Sequence, residues 1–499
     1  MISGDIDNEI MKRSAVVTLL ILALFACVAR ANEIVRVTSL EAGVYAAPAG
    51  DNLDIRLHRG SLVHYLGASK GWVHVRLRNG VEGWMAGWSV VRTLGGESLP
   101  PVPNPQVMNP SHEQPVSASV FSDTALMRSE PTNLLPAAQD HTRLGMLPRG
   151  TPLRLVGRKG HWYRATLGRA EGMWIYDELL DFSAQAPAAY EAQLQAVTVL
   201  PDKRHHTLQI ALDRKAPYRF FTTERGVELR IYGAAAGLAA ARMPVLADPF
   251  TVREAWPDTL IIECALPHMP VGYSAQYLDL PMLRGATLVF QVNKARPPMF
   301  AGNGNLAGWR IALDPGHGAV SPPPGYAAGT STRDGLAEHQ VNLTVALAAA
   351  RYLEAQGAQV ILTRTGLSDD MNDLYARTDL AQKQGADLFV SIHANGGPPA
   401  AHGLEVYYFE PQSQALAAAL AQQLEANIQT GPGQTRYASF AVLRQTEMPA
   451  ALVELGYMTN PQEAKLFHDP GFLDSCARGV TNGITSYIQL LSSPGHPAY

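Results

Sequence analysis

From Trp309 onward, short β-branched or apolar runs at 311–313, 360–362, 388–392, 404–409 and 451–455 alternate with stretches whose apolar residues recur at helical spacing. Strands and helices that alternate in this way bury their apolar faces as a largely parallel sheet covered by helices on both sides. Residues 308–491 are therefore expected to form a doubly wound α/β domain. The helix that opens near Glu338 shows a stripe at Val341, Val345, Ala348, Ala349, Tyr352 and Leu353 and stops at Gly357, a residue suited to ending a helix. Chemistry in such a domain is expected at the carboxyl ends of the strands.

The rest of the chain folds separately from this domain, because 499 residues exceed what one hydrophobic core organises. A Pro-rich stretch at 95–115 holds neither a helix nor a central strand, and shorter breaks fall at 183–189 and 296–308. Two segments repeat one pattern. Gly71-Trp72-Val73-His74-Val75-Arg76 with Glu82-Gly83-Trp84 is echoed by His161-Trp162-Tyr163-Arg164-Ala165-Thr166 with Glu171-Gly172-Met173-Trp174, and each copy has an Arg-Gly turn, at Arg59-Gly60 and Arg149-Gly150. Two small β-barrels are expected, at 32–93 and 118–182, joined by an extended linker at 94–117, with Trp72, Trp84, Trp162 and Trp174 as core. Residues 190–295 alternate in short stretches such as Leu208-Gln209-Ile210-Ala211-Leu212, which predicts a third, all-β domain. A linker at 296–307 and a tail at 492–499 complete the division.

At the amino terminus Lys12-Arg13 precede an apolar run at 15–28, too short for a confident membrane span, that ends in Ala29-Arg30-Ala31. This is the pattern of a signal peptide over 1–31. Lipidation at Cys27, in Leu24-Phe25-Ala26-Cys27, is the alternative, with bulky Phe25 against it, and a retained anchor is a third. Each predicts a chain outside the cytoplasm, periplasmic or secreted, touching membrane only through such an anchor. Cleavage after Ala31 leaves Cys264 and Cys476 in separate segments, which implies no disulfide framework. A net charge of −4 argues against nucleic acid as a partner.

Four residues of the α/β region bear on chemistry. His317 lies in the turn Asp314-Pro315-Gly316-His317-Gly318 after the first strand, Glu338 opens the following helix, and His393 ends the run 387–392. Two imidazoles and a carboxylate are the ligand set of many hydrolytic zinc sites, although loops this far apart do not single out a metal site by spacing alone. Glu338 by itself also fits an ordinary first-turn acid. Glu454 interrupts the apolar run Ala451-Leu452-Val453-Glu454-Leu455, and a carboxylate there needs a partner or a task. Burial is expected to raise its pKa and suit it to acid/base work; a structural ion pair is the other reading.

These residues lie within an ordered set of motifs: Leu313-Asp314-Pro315-Gly316-His317-Gly318, Gly335-Leu336-Ala337-Glu338, Leu362-Thr363-Arg364, Leu374 with Arg377, Ser391-Ile392-His393-Ala394-Asn395 and Pro449 through Leu455-Gly456-Tyr457-Met458-Thr459-Asn460. The region resembles the zinc-dependent N-acetylmuramoyl-L-alanine amidases. That resemblance implies His317, Glu338 and His393 as zinc ligands and Glu454 as catalytic acid/base. It also implies hydrolysis of the amide between the lactyl group of N-acetylmuramic acid and L-alanine in peptidoglycan. The repeated barrels resemble bacterial Src-homology-3-like domains, and the third domain is similar to wall-localising β-sandwiches of some amidases. Ala319 and His339 depart from the family pattern without removing a ligand; His339 is expected to face solvent, and the loop from Ser321 to Thr332 looks long. Some related division amidases carry a helical plug after the strand equivalent to 404–409; here Glu410-Pro411-Gln412-Ser413-Gln414 leads straight into a helix at 415–426, so no such plug is expected. Two rivals remain: a zinc peptidase acting within the stem peptide, and a non-catalytic wall-binding scaffold. The amino-terminal modules are expected to raise local concentration on the wall, so that deleting 32–295 weakens retention there but leaves cleavage of a soluble fragment largely intact. No protein activator can be named from the sequence.

Overall fold

The computed structural model describes residues 33–491, apart from 49, 51, 94–98, 101, 103–108, 133–139, 168–170, 184–191, 224–225, 237–247, 256–257, 267–271, 279–284, 295–305, 319–328, 369–373, 429 and 445. The expected signal peptide at 1–31 with Cys27, half of the first linker, most of the second, most of the long loop after Ser321 and the tail at 492–499 lie outside the described residues. No helix among the described residues is long and apolar enough to cross a membrane.

The first two units, from Ile34 to Arg92 and from Val116 to Asp181, are seven-stranded antiparallel sheets. In both, the strand order counted along the unit is third, second, sixth, fifth, fourth, first, seventh, so the echo in the sequence is an echo in topology. The Arg-Gly turns have one physical cause: Gly60 (φ 83°) and Gly150 (φ 76°) take left-handed backbone that a side chain would resist. Trp72 and Trp162 are core, each edge-on to a tyrosine, Tyr45 at 5.3 Å and Tyr176 at 5.4 Å between ring centroids. Trp84 and Trp174 are only half-buried, unlike the core positions expected for them. Strand alternation turns their neighbours Met85 and Met173 fully inward, leaving Trp84 stacked on His74 and Trp174 packed against the edge of the core.

The Pro-rich stretch does not hold the two units apart. Val35, Val44 and Met85 of the first and Met127, Leu155 and Ile175 of the second belong to one continuous core. A fully shielded ion pair, Arg78 Nε to Glu178 Oε2 at 3.2 Å, crosses between them.

In the third unit, Ala192–Leu200 to Ala286–Asn293, a five-stranded and a four-stranded sheet share a core built from Leu208, Ile210 and Phe290 on one side and Leu229, Ile231 and Ile262 on the other. Cys264 lies in this core and Cys476 in that of the α/β region, both as free thiols.

The α/β region carries strands β1 (Arg310–Pro315), β2 (Gln359–Leu362), β3 (Leu388–Asn395), β4 (Glu405–Tyr408), β5 (Gln434–Tyr437) and β6 (Ala450–Tyr457). Its helices are α1 (Glu338–Ala355), α2 (Leu374–Lys383), α3 (Gln414–Asn427), α4 (Ala441–Arg444), α5 (Glu463–Leu466) and α6 (Pro470–Leu491). The sheet order is β2-β1-β3-β6-β4-β5. Helices α1, α3 and α6 cover one face, α2 and α4 the other, which is why β1, β3 and β6 read as nearly continuous apolar runs. The sheet is mixed rather than wholly parallel: β4 runs antiparallel to β6. No crossover helix lies between β3 and β4, so the chain turns back instead of returning to the starting edge.

Where the first two units meet the α/β region, a buried cluster brings Glu41, His58, Arg128, Asp140, Arg143 and Arg444 together. Burial, reinforced by the positive charges of Arg143, Arg128 and Arg444 and opposed by Glu41, pushes His58 down to about 4. On acidification the unfolded chain protonates this imidazole near its ordinary 6.5, whereas the folded protein does so only near 4. Stability is therefore lost progressively as pH falls between those values, by roughly 3–4 kcal/mol at about 1.4 kcal/mol per pH unit. Thermal melts from pH 7 to pH 4 should show this slope in the wild type and a shallower one in His58→Leu; identical slopes would remove His58 as the cause.

Candidate metal centre

The carboxyl ends of β1, β3 and β6 form the site. His317 follows β1 by two residues and has φ 58°, left-handed backbone for a residue with a Cβ. Such a conformation costs roughly 1–3 kcal/mol and persists where the surroundings fix it. Here two buried guanidinium groups do so. Arg364 donates to the carbonyls of Pro315 (2.9 Å), Gly316 (2.9 Å) and His339 (2.8 Å), and Arg377 to those of Pro315 (3.0 Å) and His317 (3.0 Å). Arg377 is itself held by buried Asp314 at 2.6 Å, whose carboxylate also accepts from Ser391 and Thr363.

Glu338 is the first residue of α1 and is buried. His393 lies within β3, which runs two residues past the point where the sequence run was expected to end, to Asn395. The structure brings these three together: their ligand atoms all lie within 4.8 Å of one another. Glu338 Oε1 is 3.2 Å from His317 Nε2 and 2.9 Å from His393 Nδ1, and it accepts from Asn342 Nδ2 (3.2 Å) and the Ala394 amide (3.2 Å). Glu338 Oε2 accepts from the Thr330 amide at 2.8 Å. His339 does not face solvent as expected; it is buried, only 8% exposed, and stands outside the cluster. It follows Glu338 on a helix packed against the sheet, where its carbonyl meets Arg364.

Burial works to raise the Glu338 pKa, but the hydrogen bonds and charges of His317 and His393 outweigh it and hold the carboxyl well below the usual range. Burial also lowers His393, with His317 adding to the effect and the hydrogen bond to Glu338 opposing it. Glu454 shows the opposite shift. Burial, then the negative charges of Glu338 and Glu405, raises it well above the ordinary carboxylate value. In β6 it pairs in register with His393 on one side and Glu405 on the other, and its Oε2 is fully shielded with no hydrogen-bond partner. Glu405, by contrast, is saturated: Asn395, Tyr407 and Tyr457 donate to it, and Arg436 pairs with it at 3.0 Å.

The donor set suits a divalent ion of zinc type, being two imidazoles and one carboxylate kept in its charged form. The backbone is cut to fit the cluster. A Cβ on Gly316 would lie 2.2 Å from His393 Nε2, and one on Gly329 would lie 2.3 Å from Glu338 Oε2 and 2.7 Å from His317 Cδ2. Sequence reasoning gave no role to Asp314, Asn342, Arg364, Arg377 or Glu405. Arg364 and Arg377 stood in the quoted motifs, but nothing local to them says that both reach the same turn.

Such a donor set at the strand ends of an α/β sheet, beside a carboxyl group whose Oε2 is shielded and has no hydrogen-bond partner, is the class of site used by metal-dependent hydrolases. A family model described as N-acetylmuramoyl-L-alanine amidase matches residues 311–486. The germination-specific N-acetylmuramoyl-L-alanine amidase of Bacillus subtilis is 31% identical over 205 residues, 38% of this chain and 84% of that one. The N-acetylmuramoyl-L-alanine amidase LytC of the same organism is 33% identical over 189 residues, 37% of this chain but only 36% of LytC's own length. Among solved structures, the N-acetylmuramoyl-L-alanine amidase AmiC2 of Nostoc punctiforme is 36% identical, with a TM-score of 0.34, covering 38% of this chain and 99% of that one. Through its α/β region, the chain belongs to the N-acetylmuramoyl-L-alanine amidase family.

Proposed function

We propose that the protein hydrolyses the amide joining the lactyl group of N-acetylmuramic acid to the L-alanine of the stem peptide in peptidoglycan, with zinc held by His317, Glu338 and His393. The observation that carries this reading is the convergence of these three side chains next to a carboxyl group whose Oε2 has no partner. When bound, zinc supplies Lewis acidity, making a water more acidic and polarising the amide carbonyl. The chain's own residues do the rest. Glu454, its carboxyl raised well above the ordinary value by burial and by the charges of Glu338 and Glu405, takes a proton from the attacking water and returns it to the departing amine of L-alanine. Arg364 and Arg377 keep the His317 turn in place through both events by holding its carbonyls.

Only residues 409–413 intervene between β4 and α3, which leaves no helical insertion to block the site there. We read the first two units as Src-homology-3-like modules and the third as a wall-localising β-sandwich, all exported by the leader at 1–31 or anchored at Cys27. The strand order shared by the first two units supports reading them as one module used twice.

The test is digestion of purified peptidoglycan by the full chain, with and without a chelator, followed by mass analysis of the products. Intact stem peptides bearing a new amine on L-alanine, formed only without chelator, are expected. Shortened stem peptides would replace this reading with the peptidase one, and sacculus binding without any product would replace it with the scaffold.

A further inference from the structure

The three amino-terminal units converge on one short segment of the catalytic region, the connection from β5 through α4 to β6. From the second unit, the His141 ring stacks on Tyr437 with centroids 4.5 Å apart. From the first, Glu41 Oε2 pairs with Arg444 at 3.2 Å while the same carboxylate takes a two-point grip from Arg143 of the second unit, at 2.7 and 3.1 Å. From the third, the Tyr273 amide donates to the Glu447 carbonyl at 3.1 Å, and a Cβ on neighbouring Gly272 would lie 2.8 Å from that same oxygen. The side chains of Glu41, Arg143 and Arg444 are each at most 9% exposed, so this is a desolvated contact and not a chance surface pair.

The segment leads directly into β6, the strand that carries Glu454. Arg444 also donates to the hydroxyl of Tyr375, in the first turn of α2. Two residues further on, and so on a different face of that helix, Arg377 grips Asp314 and the carbonyl of His317. Helix α2 thus lies between the domain junction and the His317 turn. Beside it, Arg59 of the first unit stands 3.7 Å from Asp379.

We propose that the amino-terminal units form a docked brace that sets the geometry of the catalytic centre, with Glu41 as a positioning residue acting through Arg444 and Tyr375 on helix α2. This rests on the amidase reading for its kinetic readout, though not for its others. It departs from a picture of tethered wall anchors, in which these units matter only for retention on the wall.

The full chain carries the test. Glu41→Gln and the milder Tyr375→Phe are compared with Glu178→Gln, which breaks the Arg78 pair between the first two units and touches nothing in the catalytic region. Measured are zinc affinity by chelator competition, amide exchange over 374–383 and 437–457, melting, and kcat and KM on a small soluble muropeptide. Glu41→Gln and Tyr375→Phe are expected to speed exchange in both segments and to weaken zinc affinity and kcat roughly two- to thirtyfold with KM little changed. Glu178→Gln is expected to lower melting alone. The brace is overturned if all three variants behave alike, or if exchange rises in the first two while zinc affinity and kcat stay at wild-type values. A wild type that cleaves no muropeptide would defeat the amidase reading instead, and zinc affinity with exchange would still decide the brace.

Discussion

Replacing Glu454 by Gln is expected to lower kcat on a soluble muropeptide by ~10²- to 10⁴-fold, the range general acid–base groups contribute, while leaving KM and zinc affinity close to wild type. Gln keeps the shape and volume of the side chain but accepts no proton at the Oε2 position, so both transfers fail together. The same exchange should not harm the fold. Because Glu454 has its folded pKa raised, it is charged in the unfolded chain above about 4.5 and resists charging in the folded one, so its contribution to stability becomes less favourable as pH rises past that value. Removing the ionisable group should therefore leave the zinc-free variant melting at or above the wild type at pH 7, the trade expected where activity needs a destabilised group. Single-turnover kinetics and melting in chelator check both halves. A kcat within tenfold of wild type would deny Glu454 its role, and a large drop in melting temperature would place it in the structure rather than the chemistry.

Local sequence marked where His317 and Glu454 stand; that these two share one site with Glu338 and His393 was implied by the resemblance of the surrounding motifs to the N-acetylmuramoyl-L-alanine amidases. Pro315 and Gly316 mark a turn after an apolar run, and an acid amid Ala451, Leu452 and Val453 has to be explained. Three features were not legible, for physical reasons. Arg364 and Arg377 act by reaching across the fold to carbonyls of residues 315–317, and a guanidinium's target is a tertiary fact. Strand β5 is a polar, mostly exposed edge whose residues Gln434, Thr435 and Arg436 show no buried alternation. Glu41 reads as an ordinary surface acid near the chain's start, yet it is buried by residues more than a hundred and four hundred positions away. His339 misled for the opposite reason: a polar residue in the first turn of a helix is usually exposed, and here the turn itself is enclosed by the sheet and Arg364.

Gly316→Ala should weaken zinc binding at least ~10- to 100-fold, as loss of a supporting group around a metal ligand does, although alanine is the smallest side chain that could be added. The new Cβ would sit 2.2 Å from His393 Nε2 and 2.3 Å from its Cε1, so either the ring or the backbone must move. The backbone is pinned: the Gly316 amide donates to the Ile392 carbonyl at 2.9 Å, and its own carbonyl accepts from Asn342 and Arg364 at 3.1 and 2.9 Å. The ring is the softer part, and its displacement breaks the 2.9 Å contact of Nδ1 with Glu338 and carries a ligand atom out of the cluster. Overpacking of this kind costs about 1–3 kcal/mol of stability, too little by itself to unfold most domains. Gly366→Ala is the matched control, since the nearest atom to a Cβ there is 4.0 Å away; it should change melting and zinc affinity little. Zinc titration against a chromogenic chelator, with melting of the zinc-free proteins, separates a lost site from a lost fold. If Gly316→Ala binds zinc like the wild type, the His393 ring is not held where the metal centre needs it, and the three-ligand arrangement fails with it.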